Sequence, residues 1–125
     1  MKIIKVLVVE DHLPLQHILG MWLESLPNVS QVICSDSITK ALSDFDAHLP
    51  DLVMVASHLE QNRQFQLTDH IRSQSNTTSI VMLTMSVEDI LIYQKDKYDS
   101  CICKFDVYSK LPQFLADRFG PAPAI

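Results

Sequence analysis

Glycine is nearly missing from this chain: its 125 residues hold two, Gly20 and Gly120. A glycine-rich loop that could cradle nucleotide phosphates is therefore excluded, because such loops need close backbone approach and φ values that glycine supplies freely. Clusters of basic residues are missing too. Ten Lys and Arg against fifteen Asp and Glu give a formal net charge of −5, and without a cationic block this domain carries no footprint for nucleic acid. No apolar run approaches the roughly 18 residues of a membrane span. The basic-then-apolar start is broken by Glu10 and Asp11 too early for a signal peptide, so a cytoplasmic location is expected. The three cysteines, Cys34, Cys101 and Cys103, are an odd number. Cys101 and Cys103 stand two apart on one strand face, badly placed to bond to each other. No second pair completes a metal-binding set, so all three read as small buried thiols in a reducing compartment.

What the chain does hold is alternation. At this length one domain can bury about two-thirds of its unfolded surface, and strand-like and helix-like segments alternate five times. That order predicts a parallel sheet with helices on both faces. Val6–Val9 is a buried strand. Leu15, Ile18, Leu19, Trp22, Leu23 and Leu26 mark one stripe of a following helix, with Pro14 in its first turn and Pro27-Asn28 ending it. A short strand, Gln31 to Cys34, precedes a helix capped by Ser37 with Ile38, Ala41, Leu42 and Phe45 inward. Pro50-Asp51 turns into a central strand. A third helix spans about Arg63 to Ser75 on Leu67 and Ile71, and a strand runs from Ser79 to Leu83. A fourth helix is predicted between Ser86 and Lys97, then a strand from Cys101 to Cys103. Pro112 fits the first turn of the final helix if that helix begins near Ser109 and breaks one begun at Asp106. Its stripe is Leu111, Phe114, Leu115 and Phe119. Residues 1–119 read as the domain and 120–125, Gly-Pro-Ala-Pro-Ala-Ile, as a flexible tail or the start of a linker.

In an open parallel sheet the carboxyl ends of the strands present the functional side chains. Here the first strand ends in Glu10 and Asp11, followed by His12; the fourth ends in Thr84 and the fifth in Lys104. The central strand, Leu52–Val55, ends in Ala56. Two carboxylates, a hydroxyl and an ammonium form most of a phosphoryl-transfer site, and the oxygen that would receive the phosphoryl group is not there. Taken singly, each of these residues reads as a solvated strand end. Their joint placement at the ends of one sheet is what makes a site.

On these residues the chain resembles the receiver domain of two-component response regulators, from Lys5 to about Phe119. Asp11-His12 and Leu83-Thr84-Met85 look most like receivers attached to NarL-type transcription regulators. The resemblance implies a doubly wound, five-stranded, flavodoxin-like sheet in the order 2-1-3-4-5. It also implies a cycle in which Glu10, Asp11 and an acceptor carboxylate hold magnesium while a histidine kinase donates phosphoryl, with Lys104 and Thr84 stabilising its oxygens. Ala56 occupies the acceptor position, so this member is expected to be a degenerate, or pseudo-, receiver. The loop Ser57–Asn62 lacks the family's proline and glycines, Cys101 stands where an aromatic commonly swings toward the hydroxyl, and Phe105 replaces the usual proline.

The expectation is thus a non-enzymatic module acting by phosphorylation-independent protein–protein contact, with itself, an output domain or a signalling partner. No cofactor is required, and magnesium on Glu10 and Asp11 is weak at most. The interface implied by the family comprises Ile92, Tyr93, Lys97, Tyr98 and Tyr108, with Lys95 and Lys110 beside them. The alternative is a displaced acceptor, Ser57, feeding transcription through an attached or partner DNA-binding domain. Another reading places zinc among Glu10, Asp11, His12 and His58.

Overall fold

The computed structural model describes residues 2–57, 59–61, 63–85 and 97–121. Its elements are β1 (Ile4–Val9), α1 (Leu13–Glu24), β2 (Val29–Ser35), α2 (Ile38–His48), β3 (Leu52–Ala56), α3 (Gln64–Gln74), β4 (Ser79–Thr84), β5 (Ser100–Cys103) and α4 (Val107–Phe119). The strands are all parallel, in the order β2-β1-β3-β4-β5. The order reverses between β1 and β3, which is the point where such sheets open a crevice at their carboxyl ends.

β3 and β4 are buried along their whole length, as the uninterrupted apolar runs demand of strands covered on both faces. Alternation then sorts the side chains into two cores. Val9, Val53, Val55, Ile80 and Met82 pack with Ile38, Phe45, Leu67 and Ile71 from α2 and α3. Val6, Val8, Met54, Val81 and Ile102 pack with Leu19, Leu23, Leu111 and Leu115 from α1 and α4. Each fully buried Leu or Ile contributes roughly 1.5–3 kcal/mol over its exposed state. Among the described residues no helix is long and apolar enough to cross a membrane.

Local signals explain most of the boundaries. Ser37 caps α2 through a 3.1 Å bond from the Lys40 amide. His12 caps α1, its Nδ1 accepting from the Leu15 amide at 3.3 Å. The three cysteines are free, and burial pushes the Cys34 and Cys101 thiols above their ordinary pKa. Two expectations change. Spacing places Ile18 on the inward stripe of α1, but it is 56% exposed: at 3.6 residues per turn Leu19 and Leu23 centre the buried arc, and Ile18 falls outside it. The final helix starts at Val107, with Pro112 inside it. Val107, Leu111 and Leu115 are buried at helical spacing, and that packing outweighs the single backbone bond that Pro112 forgoes near the helix start. The predicted helix between Ser86 and Lys97 lies almost wholly outside the described residues.

Candidate functional site

The site grows from four strand ends. β1 delivers Glu10, whose side chain is 1% exposed. β5 delivers Lys104, tied down because its amide bonds the Thr84 carbonyl at 2.8 Å. Lys104 Nζ lies 2.9 Å from Glu10 Oε2 and is itself only 13% exposed. The contact is a charge pairing and not an aligned hydrogen bond, since that oxygen has no bonded donor among the described residues. Glu10 Oε1 accepts from the His12 amide at 3.1 Å. The carboxylate that the sequence offered as a cation ligand is therefore occupied by the chain's own ammonium. Asp11 is exposed and, with Glu10, His12, Leu15 and Lys104, lines a cleft of about 560 Å3 that is otherwise walled by Met85, Phe105 and Tyr108.

At the centre, Ala56 is 1% exposed and belongs to the core. Its methyl group reaches no solvent and offers no oxygen. Ser57 follows it, with its amide bonded to the Leu83 carbonyl at 2.8 Å, and the register Ala56↔Leu83 sets Ser57 opposite Thr84. Both hydroxyls are buried, and neither has a hydrogen-bond partner among the described residues. A buried hydroxyl left bare costs roughly 1–3 kcal/mol, so two of them side by side mark a place built for something other than stability.

These residues do not fit a resident magnesium ion. Magnesium wants free carboxylate oxygens in near-octahedral order, while Glu10 is engaged by Lys104 and His12, Ala56 has no oxygen, and no group of three or more metal-ligating side chains occurs among the described residues. Of the residues in the zinc reading, His12 uses its Nδ1 as a helix cap, and His58 lies outside the described residues.

Residues that sequence reasoning missed sit in the loop after β3. Glu60 (φ 45°) and Gln61 (φ 59°) both adopt the left-handed conformation, at the place where the family pattern would supply glycine. Such residues cost of order 1–3 kcal/mol each. Glu60 compensates: its Oε2 accepts from the Ile38 amide at the first turn of α2, at 2.6 Å, where the helix dipole favours an anion. Its other oxygen lies 3.5 Å from Arg63. The Glu60–Ile38 contact spans 22 positions, and nothing local in the sequence announces it.

The interface residues divide. Tyr98, expected at the surface, is 5% exposed and packs in the α2–α3 core: it directly precedes Asp99, whose bonds to the start of β4 draw the chain inward. Lys97 is engaged with Asp69 at 3.5 Å and lies 5.3 Å over the Phe65 ring. Lys110 is exposed, 3.5 Å from Asp106. Tyr108 is 41% exposed and meets Trp22 edge-on at 4.9 Å. Ile92, Tyr93 and Lys95 lie outside the described residues.

A doubly wound domain with an acid, a hydroxyl and a lysine at these strand ends has the architecture of a signalling receiver. The family model for the response regulator receiver domain matches residues 6–105, and the chain belongs to that family, whose members serve two-component signal transduction. None of the curated proteins matches the chain. Among solved structures it is similar to the response regulator TrrA from Thermotoga maritima in complex with Mg(2+)-BeF (TM-score 0.79, 19% identity, covering 94% of this chain and 99% of that one). It is also similar to a LuxR-family response regulator from Aurantimonas (0.80, 19%, 95% and 87%). The signal receiver domain of NarL from Mycobacterium tuberculosis is a third (0.79, 20%, 94% and 96%).

Proposed function

We propose that this receiver acts in the cytoplasm as a non-enzymatic docking module whose state is not set by phosphorylation. One observation carries the reading: the buried methyl of Ala56 at the end of β3, where the family's acceptor carboxylate stands. Phosphoryl transfer needs an oxygen nucleophile held in line with its donor, and that position supplies none. The Lys104–Glu10 pair supports it further, because the cation that would otherwise balance a transferred anion already has a buried partner 2.9 Å away. The displaced acceptor Ser57 is disfavoured by its burial at 8% exposure. Any DNA contact would then belong to an attached or partner domain, and output would follow from which protein binds.

Intact-mass measurement of the chain after incubation with acetyl phosphate and magnesium, beside an Ala56→Asp variant, tests this. The wild type is expected to stay at its unmodified mass. A phosphoryl adduct on the wild type, wherever it mapped, would overturn the reading. In the variant, a third carboxylate near Glu10 should lower metal-free stability by about 1–3 kcal/mol through charge repulsion, and magnesium should recover part of it. The wild-type melting temperature should not respond to millimolar magnesium.

A further inference from the structure

The cleft at the carboxyl end of the sheet joins apolar side chains to charged ones. Leu15, Met85, Phe105 and Tyr108 line it together with Asp11 and Lys104. Its volume, about 560 Å3, falls within the roughly 300–1,000 Å3 of pockets that enclose small organic molecules. Phe105 is 77% exposed and Met85 55%. Scattered exposed apolar residues need no explanation, but two gathered at one cleft mark a binding groove. The Tyr108 ring meets Trp22 edge-on at 4.9 Å, so part of the aromatic wall is fixed before any ligand arrives.

The charges of the cleft do not balance. Lys104 is committed to Glu10 at 2.9 Å, and Glu10 Oε1 is committed to the His12 amide. Asp11 is exposed and has no hydrogen bond or ion pair among the described residues. Glu10, 1% exposed at its side chain, lines the same cleft, and its Oε2 has no hydrogen-bonded donor. An anionic ligand would have to take Lys104 from Glu10 and strand a buried carboxylate. A cationic ligand meets a free carboxylate at once. A hydrated metal ion gains nothing from Met85, Phe105 and Tyr108. An organic cation can lay its apolar body on them and set its charge near aromatic faces.

We propose that this cleft binds a small amphipathic amine, its apolar body against Met85, Phe105 and Tyr108 and its ammonium on Asp11. The ammonium supplies donors, which Asp11 and the bare Oε2 of Glu10 lack. The body covers Phe105, which is otherwise turned to water. This inference deepens the reading above and rests on it in one respect, that no phosphoryl group occupies the pocket.

Amide NMR titrations of the full chain test it, with 2-phenylethylamine, 2-phenylethanol and 3-phenylpropionate as cationic, neutral and anionic probes. The amine should bind saturably with a Kd in about the millimolar range or below, shifting the amides of Asp11, Leu15, Met85 and Phe105. The alcohol should bind about threefold more weakly, and the propionate more weakly still. Asp11→Asn should remove the preference for the amine, and Phe105→Ala should weaken all three probes. Both side chains are exposed, so each variant should keep a wild-type amide spectrum away from the cleft, which separates lost binding from lost folding. No saturable shift up to about 20 mM amine overturns the proposal. So does propionate binding as tightly as the amine, a preference that survives Asp11→Asn, or shifts centred elsewhere on the domain. The two readings fail separately: a phosphoryl adduct on the wild type sinks the one above, while an unmodified chain that ignores the amine sinks this one alone.

Discussion

The two ends of the sheet treat most of their polar groups differently. At the amino end, two aspartates join neighbouring strands. Asp51 Oδ2 accepts from the Lys5 amide at the start of β1 at 2.9 Å, and Oδ1 takes Lys2 at 2.9 Å. Asp99 Oδ2 accepts from the Ile80 amide at 2.7 Å and from Arg72 at 2.9 Å, while Oδ1 takes Arg118 at 3.1 Å. At the carboxyl end, the Ser57 and Thr84 hydroxyls are bare among the described residues, and Glu10 is held by one buried ammonium and the His12 amide. Locally consistent polar chemistry marks the end that holds the fold together. Ser79 Oγ at the start of β4 is the exception at the amino end, buried and without a partner among the described residues, whereas Ser57 and Thr84 bring two such hydroxyls together at the carboxyl end.

The sharpest way to break this contrast is at Lys104. Lys104→Met leaves the Glu10 carboxylate buried without a cation and should cost about 3 kcal/mol in urea unfolding. Adding Glu10→Gln removes the stranded charge while keeping an acceptor for the His12 amide, so the double variant should recover most of the loss. No recovery would mean that the pairing is not what holds Lys104 in place. At the other end, Asp99→Ala should cost about 2 kcal/mol. There a second deletion should not help: Arg72→Met added to Asp99→Ala still leaves the Ile80 amide without its acceptor. Rescue at one end and not the other is the expected signature.

Much of this was legible in the sequence, for reasons that differ by residue. Both cores follow from apolar runs and their spacing, because burial on two faces forces such runs in β3 and β4; the strand order came only from the family resemblance. Glu10, Ala56, Thr84 and Lys104 were placed correctly at strand ends because the alternation of elements fixes where each strand stops. What escaped was pairing across long separations. Glu60 on the Ile38 amide and Lys104 on Glu10 rather than on a cation depend on side-chain geometry that no periodicity encodes. Ile18 escaped for another reason: it fits a stripe by spacing, and a helix with few charged residues gives little sign of which side faces the core. Tyr98 and Pro112 were misjudged because burial of Val107, Leu111 and Tyr98 itself decided the local geometry over propensity.

A smaller effect of opposite sign is expected at Thr84. Its Oγ1 is buried and has no partner among the described residues, so Thr84→Val replaces an unsatisfied hydroxyl with a methyl group. Stability should rise by up to about 1 kcal/mol, whereas removing a polar group at the amino end lowers it. A clear loss would show that the hydroxyl is satisfied after all, and the contrast between the two ends would weaken.

The smallest effect sharpens the comparison, because Asp44 is a satisfied acid near the carboxyl end. Burial pushes its carboxyl up, but bonds from Lys40 at 2.8 Å and Ser35 at 2.6 Å, with the charges of Lys40 and His48, together hold its pKa below the ordinary carboxylate value. A folded pKa below the unfolded one contributes stability that is fully present above the unfolded value and is lost as pH falls through the folded one. Wild type should therefore exceed Asp44→Asn slightly in urea midpoint at neutral pH, with the gap closing in acid below about pH 4. A gap that widened in acid would reverse the sign. Ser35 and Asp44 would then join Ser57 and Thr84 as polar groups the fold tolerates without benefit, and satisfaction at this end would be confined to Glu10.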